Sequence, residues 1–233
     1  MINFNNYFNH KLFKFVFIII KKFYIKKKLH KYGSGHGQYY LPKLKKASKV
    51  TSILSGGAGD NISFDIDLAR LGYKVYLLDP TPKAKNFFLR KKKNNKVFNR
   101  IVYIDKALWN KNEYVNFYLP IKKKIISHST IQGFKNQKKI LVKAITVKKL
   151  IKSLKIKKFY LIKLDIEGSE YFVIKDIIKN NIIIKYFLIE FDFLKKSNLI
   201  KSTSRLIEIL LLLRKNNYKL IYIDNLNFTF EKC

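Results

Sequence analysis

The stretch LIKLDIEGSEYFVIKDI, residues 161–177, joins a short apolar run, a cluster of acids and a helix-like pattern. Its first residues are typical of a buried strand, and Asp165 and Glu167 follow where that strand ends. From Glu170 onward the pattern predicts a helix. Acids are scarce elsewhere, because the chain has 49 Lys and Arg but only 15 Asp and Glu. The stretch is therefore both a structural unit and a candidate functional site.

Strands and helices alternate on both sides of this unit. The predicted strands are KVTSILS, KVYLLD, RIVYID, ILVKAI and IIIKYFLIEFD, with a strand–turn–strand in ALWNKNEYVNFYLP and a closing hairpin in YKLIYID and NFTFEK. The predicted helices are NISFDIDLARLG, about Lys83 to Lys93, TVKKLIKSL with Thr146 as its cap, and STSRLIEILLLLRKNN. This order predicts an α/β fold, in which helices cover both faces of a mostly parallel sheet with an antiparallel end strand.

About half of the acids follow the ends of predicted strands or the first turn: Asp60, Asp79, Asp105, Asp165, Glu167, Glu190 and Asp192. In an open α/β sheet, ligands bind outside the carboxyl ends of the strands. Acids are common in such loops without any function, but a chain so poor in acid makes chance the weaker explanation. We therefore expect a ligand site at this edge.

The first turn, SGGAGD at residues 55–60, narrows the class of ligand. Gly57 and Gly59 allow a tight turn and close approach of a ligand. Asp79 ends the next strand about twenty residues later, at the spacing of a carboxylate that binds the ribose hydroxyls of an adenosine. Ile62 stands where a dinucleotide-binding turn has a third glycine, and no P-loop motif occurs. S-adenosylmethionine contains an adenosine but no phosphate, so it fits these residues better than NAD, FAD or ATP.

Two segments, GGAGDNISFDIDLARLGYKVYLLDPTP and YLIKLDIEGSEYFVIKDI, resemble the FkbM family of S-adenosylmethionine-dependent methyltransferases. The second is similar to a family motif that Lys163, Asp165, Glu167, Gly168 and Glu170 match. ALWNKNEYVNFYL resembles the family's strand pair, SHST at residues 127–130 its Ser-rich turn, and FLIEFD its strand ending in glutamate. The resemblance spans about residues 50–192 and implies a Rossmann-like class I methyltransferase fold.

The same resemblance implies roles for the cofactor-binding residues. Gly57 and Gly59 would form the turn beneath the methionine moiety, Asp79 would bind the ribose, and Asp105 would lie near the adenine amino group. Many family members carry an acid just before the glycine turn. This chain has Leu54 and Ser55 there, so the resemblance does not say how the amino group of the cofactor is held.

Further positions are candidates for catalysis and acceptor binding. Asp165 and Glu167 would face the methyl group and the acceptor, and either can serve as general base or orient the acceptor. His128 is an alternative base. Lys163 would pair with a neighbouring carboxylate, and Glu190 would help to close the acceptor pocket or cap a strand. Glu170 would act at the site or favour the helix N-terminus.

The resemblance implies O-methylation of a sugar or another small hydroxylated acceptor. The runner-up is an RNA methyltransferase, which the net charge of +34 favours, although the amino-methylating tetrapeptide N/D-P-P-Y/F is absent. A non-catalytic protein that binds polyanions or membranes on the same scaffold is the third reading. Lys is spread along the whole chain, which favours compositional drift over a dedicated nucleic-acid surface.

The chain divides into a basic extension and linker, residues 1–42, and a methyltransferase domain, residues 43–233. No acid precedes Asp60, and an amphipathic helix within residues 1–32 would contact an anionic membrane peripherally. We expect a cytoplasmic location. One cysteine, Cys233, and four His exclude a Cys/His zinc site. We assign no metal ligands. Several neighbouring carboxylates could bind magnesium, but nothing in their spacing requires it.

Overall fold

A computed structural model describes residues 18 and 20, and residues 24–93, 95–119, 137–196 and 199–233. The strands are β1 (His30–Tyr32), β2 (Tyr39–Leu41), β3 (Ser52–Gly56), β4 (Lys74–Leu78), β5 (Ile101–Ile104), β6 (Ala107–Leu108), β7 (Tyr114–Tyr118), β8 (Lys139–Ile145), β9 (Leu161–Leu164), β10 (Tyr186–Glu190), β11 (Tyr218–Asp224) and β12 (Asn227–Lys232). The helices are α1 (Ser63–Arg70), α2 (Pro82–Lys92), α3 (Val147–Ser153), α4 (Glu170–Lys179), α5 (Phe193–Lys196) and α6 (Leu199–Lys215).

In the described part of the chain, seven strands form the main sheet in the order β5-β4-β3-β9-β10-β12-β11. The strands from β5 to β10 are parallel, whereas β12 is antiparallel to both β10 and β11. The strand order reverses between β3 and β9, which is the topological switch point of the sheet. This architecture confirms the predicted Rossmann-like α/β fold with its antiparallel end strand.

The register of the central strands determines where the site lies. Gly56, the last residue of β3, is paired with Leu78 at the end of β4 and with Leu164 at the end of β9. The three strands therefore stop at one level, and the residue after each of them leaves the sheet at the same edge.

Both faces of the sheet are buried, as a parallel sheet requires. Ile53 and Leu54 are adjacent in β3 and point to opposite faces, yet both are fully buried. Leu54 packs in a cluster with Ile162 and Phe187, while Ile53 belongs to a second cluster. The near-continuous apolar strands in the sequence follow from this double burial.

Two helix N-termini are capped by threonine side chains. Thr146 accepts a hydrogen bond from the backbone of Lys149, which confirms the predicted cap of α3. Thr81 caps α2 in the same way, through Ala84. Pro82 follows it at the first helical position, where its missing N–H costs nothing.

The strand–turn–strand after β5 differs from a simple hairpin. Both β6 and β7 pair with β8, which lies between them, parallel to β6 and antiparallel to β7. The physical reason is the alternation in β8, which turns Val142 and Ala144 inward against Ala107 and Phe117. The local sequence predicts the two strands but not the partner that separates them.

The glycine-rich segment predicted as a linker is folded. Strands β1 and β2 pair antiparallel, and the turn between them contains a 3₁₀ helix, Gly35–Gly37. Leu41 is fully buried in the core. The domain boundary at residue 42 stays a prediction, but the residues just before it pack on the domain.

Most of residues 1–32, including the predicted amphipathic helix, lies outside the described residues. Across the part of the chain that the structure describes, no helix combines the length and the apolar character that crossing a bilayer requires.

Candidate functional site

A cavity of about 260 Å³ opens at the carboxyl ends of the central strands. The turn after β3, the ends of β4, β9 and β10, and the segment before β2 all contribute to its wall. Its polar lining residues are His36, Asp60, Asn61, Asp79, Thr81, Lys163, Asp165, Glu167 and Glu190. Acids that the sequence places after separate strands therefore meet around one space.

The glycine turn brings β3 against the end of β9. Gly57 has φ +85°, and a Cβ at this position would lie 1.9 Å from the carbonyl oxygen of Asp165. Its N–H donates to the carbonyl of Leu78 at 2.9 Å, which fixes the turn to β4 as well. Glycine is required at residue 57 because any side chain would push these strand ends apart.

Asp79 lines the cavity beside the glycine turn and is only 7% exposed. One carboxylate oxygen, Oδ2, accepts hydrogen bonds from the N–H groups of Ala58 at 3.0 Å and Gly59 at 3.2 Å. The other, Oδ1, accepts from the N–H and the hydroxyl of Thr81. The carboxylate is thus held rigidly under the turn and still lines the cavity.

A buried lysine crosses beneath the turn. The Nζ atom of Lys163 donates to the carbonyls of Gly57 at 2.7 Å and Gly56 at 3.3 Å, and it lies 3.4 Å from Oδ2 of Asp165. The predicted pairing of Lys163 with a carboxylate is confirmed. The same Oδ2 accepts from the hydroxyl of Tyr39 at 3.3 Å, so Asp165 is oriented from two sides.

The turn after β9 holds two acids in different ways. Glu167 lines the cavity with a left-handed backbone, φ +58°, which is uncommon for a residue with a side chain. Glu170 is fully buried, and its Oε1 accepts from the N–H groups of Ile166 at 3.2 Å and Gly168 at 2.9 Å. Burial, and the negative charge of Asp192, raise the pKa of Glu170 well above its usual range. Through its two backbone hydrogen bonds, Glu170 stabilises the turn beside the cavity.

Three carboxylates at the edge between β9 and β10 lie close together. Asp165, Glu190 and Asp192 each offer one oxygen, and these oxygens lie within 4.8 Å of one another. An all-oxygen set of this kind suits hard divalent cations such as Mg²⁺ or Ca²⁺. These are the residues that could hold a metal ion.

One acid at the site is not apparent from the sequence. Asp65 lies in the first turn of α1 and is 1% exposed. Burial raises its pKa to about 6, although the positive charge of Lys163 acts in the opposite direction. A signal exists in hindsight, because Asp65 stands between Phe64 and Leu68, which are both buried.

Two predicted site residues are not among the cavity residues that the structure describes. Asp105 follows β5 and is not among the described lining residues, and its Oδ2 pairs with Nζ of Lys85 at 2.8 Å near the surface. His128, with the SHST turn, lies outside the described residues. Their predicted roles at the adenine and as general base stay predictions.

The folded segment that contains β1 and β2 supplies residues that the sequence did not indicate. Nε2 of His36 lies 3.0 Å from Oδ1 of Asp60, and both residues line the cavity. Tyr39 orients Asp165, as described above. A glycine-rich run without periodicity is typical of a linker, so nothing in its pattern indicated a cavity wall.

The chain matches a family model described as "Methyltransferase FkbM domain" over residues 55–220, which is more than half of its length. No curated protein matches the sequence.

Solved structures show weaker similarity. Monomeric WbdD is 12% identical with a TM-score of 0.48, over 79% of this chain and 36% of that chain. A fibrillarin pre-rRNA processing protein of Methanococcus jannaschii is 14% identical with a TM-score of 0.45, over 82% and 70%. An rRNA methylase of Streptococcus thermophilus is 11% identical with a TM-score of 0.43, over 81% and 89%. This chain thus spans about a third of the WbdD chain.

The family assignment does not depend on these structural similarities. The match to the family model covers the glycine turn, Asp79, the stretch after β9 and Glu190, which are the parts that meet at the cavity. The seven-stranded sheet and its switch point are those of a Rossmann-like methyltransferase. The chain belongs to the FkbM methyltransferase domain family.

Proposed function

We propose that this methyltransferase takes its methyl group from S-adenosylmethionine and transfers it to a hydroxyl oxygen of a small acceptor, such as a sugar. The observation that carries the proposal is the charge of the cavity wall. Asp60, Asp79, Asp165, Glu167 and Glu190 face a space to which Lys163 contributes a positive charge. Such a wall favours a ligand with cationic groups.

The hydrogen bonds of the glycine turn support the choice of cofactor. In a dinucleotide-binding turn, backbone N–H groups face the phosphates of the ligand. Here Ala58 and Gly59 direct their N–H groups to the carboxylate of Asp79 instead. A phosphate would meet carboxylates in place of free donors, whereas a sulfonium and an ammonium group suit this environment.

The residues of the chain have distinct tasks under this proposal. Asp79 accepts hydrogen bonds from the ribose hydroxyls, and the glycine turn lies beneath the methionine moiety. S-adenosylmethionine, once bound, supplies an activated methyl group on a positively charged sulfur. Asp165 is oriented by Lys163 and Tyr39 and would align the acceptor hydroxyl with that methyl.

Two further acids serve the acceptor. Glu167 lines the cavity beside Asp165, and either carboxylate can receive the hydroxyl proton. Glu190 lines the same wall from the end of β10 and would close the acceptor side. A carboxylate-rich acceptor side suits a hydroxylated ligand, because carboxylates accept hydrogen bonds from hydroxyl groups. It disfavours RNA, whose phosphates it would repel.

The cofactor is tested by calorimetry on the full chain with S-adenosylmethionine. Asp79→Ala should weaken binding by about 1.5–3 kcal/mol, roughly 10- to 150-fold, because a buried charged hydrogen bond is lost. Asp176→Ala is the matched control, since Asp176 lies in α4 and is not among the described residues that line the cavity. Asp79→Asn is measured in the same way, and thermal unfolding of both variants shows whether a loss of affinity comes from damage to the glycine turn or from loss of the contact with the ligand. Unchanged affinity in both Asp79 variants would contradict the assignment.

The acceptor is tested by transfer of a labelled methyl group to sugars, lipids, small metabolites and RNA. We expect incorporation into a hydroxylated small molecule, and loss of incorporation in Asp165→Asn. Incorporation into RNA alone would establish the runner-up function instead.

A further inference from the structure

Of the polar ends of the proposed cofactor, the amino-acid end is the one that the family resemblance leaves without a partner. The residues before the glycine turn, Leu54 and Ser55, carry no charge, and Leu54 is packed in the core. Asp79 is assigned to the ribose hydroxyls under the proposed function. Asp165 is oriented by Lys163 and Tyr39. Glu167 and Glu190 are assigned to the acceptor, which leaves Asp60 among the described acids of the cavity wall.

Asp60 has the required position. It follows Gly59 directly, so it stands at the end of the turn that lies beneath the methionine moiety. Its Oδ1 is 3.0 Å from Nε2 of His36, and its side chain is about half exposed. Among the hydrogen bonds of the described residues, Oδ2 of Asp60 has no partner.

His36 is fixed beside Asp60 by the backbone of its segment. The N–H of Gly33 donates to Oδ2 of Asp67 at 2.8 Å, and the N–H of Ser34 donates to Oγ of Ser63 at 2.8 Å. Asn61 in turn donates from Nδ2 to the carbonyl of Ser34 at 2.8 Å. These hydrogen bonds attach residues 33–34 to α1 and the turn before it.

Two glycines make this attachment close. A Cβ on Gly33, which has φ +81°, would lie 2.3 Å from the carbonyl oxygen of Gly37. A Cβ on Gly37 would lie 2.6 Å from Cγ of Asn61. The segment therefore places an imidazole and a backbone turn against the glycine turn, where a linker would leave open solvent.

We propose that His36 and Asp60 form the binding site for the zwitterionic amino-acid end of the cofactor. Asp60 accepts hydrogen bonds from the ammonium group, and His36, whose Nε2 faces Asp60, donates to the carboxylate from Nδ1. This assignment rests on the proposed use of S-adenosylmethionine. It names the residues that take over the task of the acid that many family members carry before the glycine turn. It also gives the segment before β2 a function in cofactor binding.

Comparing two ligands distinguishes binding at this site from binding in the rest of the cavity. S-adenosylhomocysteine and 5′-methylthioadenosine are both uncharged at sulfur and share the adenosine, but only the first has the amino-acid end. Calorimetry on the full chain measures both affinities in each variant. Asp60→Asn and His36→Gln should each weaken the affinity for S-adenosylhomocysteine about tenfold. The affinity for 5′-methylthioadenosine should change less than about twofold, because the lost charge-assisted hydrogen bond is made by the first ligand alone.

A third ligand distinguishes the two residues. Decarboxylated S-adenosylhomocysteine keeps the ammonium group and lacks the carboxylate, so its binding should fall in Asp60→Asn and stay unchanged in His36→Gln. His30→Gln is the matched control, because His30 lies in β1 and does not line the cavity. Asp60→Glu, which keeps the charge, should restore part of the affinity.

The outcomes separate this inference from the proposed function. If neither S-adenosylhomocysteine nor 5′-methylthioadenosine binds the wild-type chain, the cofactor itself is wrong, and this inference falls with it. If both bind and each variant weakens them equally, or weakens neither, the cofactor stands and the assignment of His36 and Asp60 is overturned. Thermal unfolding of each variant shows whether a uniform loss comes from damage to the fold.

Discussion

Two acids next to the site, Glu170 and Asp65, are buried where an ionised group is costly. Different interactions offset the cost of burying each of them. Glu170 accepts two backbone hydrogen bonds, from Ile166 and Gly168, and thereby holds the turn after β9. Asp65 lies on the inner face of α1, within reach of the charge of Lys163. Burial raises the pKa of both groups, so each favours its protonated form more in the folded state than in the unfolded chain.

Asp65→Asn tests this balance at a single residue. Its pKa rises from 3.8 to about 6 on folding, so its contribution to stability is present below about pH 4 and is lost as the pH rises through about 6. A shift of about two units corresponds to ~3 kcal/mol at most. Relative to the wild type, the free energy of unfolding of Asp65→Asn should therefore increase by up to that amount between about pH 4 and pH 7.5.

Urea unfolding of both proteins across this pH range measures the difference. Asp224→Asn is the control for the loss of one carboxylate, because Asp224 is only partly buried at the end of β11. If Asp65→Asn and the wild type keep a constant difference in stability at all pH values, Asp65 does not titrate on folding as the buried environment requires.

At the scale of elements, the glycine turn joins three strand ends, and its two glycines have different reasons to be there. A side chain at residue 57 would collide with the backbone of Asp165, whereas a Cβ on Gly59 would meet nothing within 4 Å. Gly59 has φ +50°, so a substitution there costs only backbone strain. The two positions thus provide a matched pair for testing how the turn is built.

Gly57→Ala should lower the free energy of unfolding by more than about 3 kcal/mol, because neither β3 nor β9 can move without disturbing the sheet. Gly59→Ala should cost about 1–2 kcal/mol, the strain of a left-handed residue with a Cβ. Chemical unfolding of the two variants gives the comparison. Equal losses would mean that the close approach of Gly57 to Asp165 does not constrain the fold.

The elements that the sequence predicts well are those whose signal is local. Apolar runs ending in acids mark β4 and β9, and Thr146 marks the start of α3 by its own hydrogen bond. The position of β8 between β6 and β7 depends on contacts between residues far apart in the sequence, and no local pattern encodes it. The same limit hides the β1–β2 hairpin, whose glycines are required by contacts with Asn61 and Phe64 rather than by its own turns alone.

For the site, the sequence indicates which residues meet but not how each is held. The ends of parallel strands share an edge, so the convergence of Asp79, Asp165 and Glu190 follows from the predicted fold. Tyr39, which hydrogen-bonds to Asp165, and His36, which pairs with Asp60, both lie in the segment before the main sheet. Their identification requires the three-dimensional path of that segment, which has no periodicity to read.

At the scale of the whole molecule, Glu231 in β12 connects distant parts of a chain that carries an excess of positive charge. It hydrogen-bonds to Nζ of Lys27, before β1, and its Oε1 lies 3.1 Å from Nζ of Lys185, before β10. Burial alone would favour the protonated acid, but the hydrogen bonds from these two lysines hold the pKa of Glu231 below its ordinary value. One carboxylate thus neutralises two cations at a junction of the N-terminal segment with the sheet.

Glu231→Gln should lower the free energy of unfolding by about 1–2 kcal/mol at neutral pH, because a carboxylate whose side chain is only 11% exposed loses its charge-assisted hydrogen bonds from two lysines. A depressed folded-state pKa contributes stability above the ordinary titration range of a glutamate and loses it as the pH falls through the lower folded-state pKa. The difference from the wild type should therefore shrink as the pH falls below the ordinary range. Glu208→Gln is the matched control, since the Lys175–Glu208 pair is nearly half exposed and should contribute less than about 0.5 kcal/mol. Urea unfolding at neutral and acidic pH compares the two variants. Equal and small effects of both substitutions would mean that the junction is held by packing and that its charges are screened like those of any surface pair.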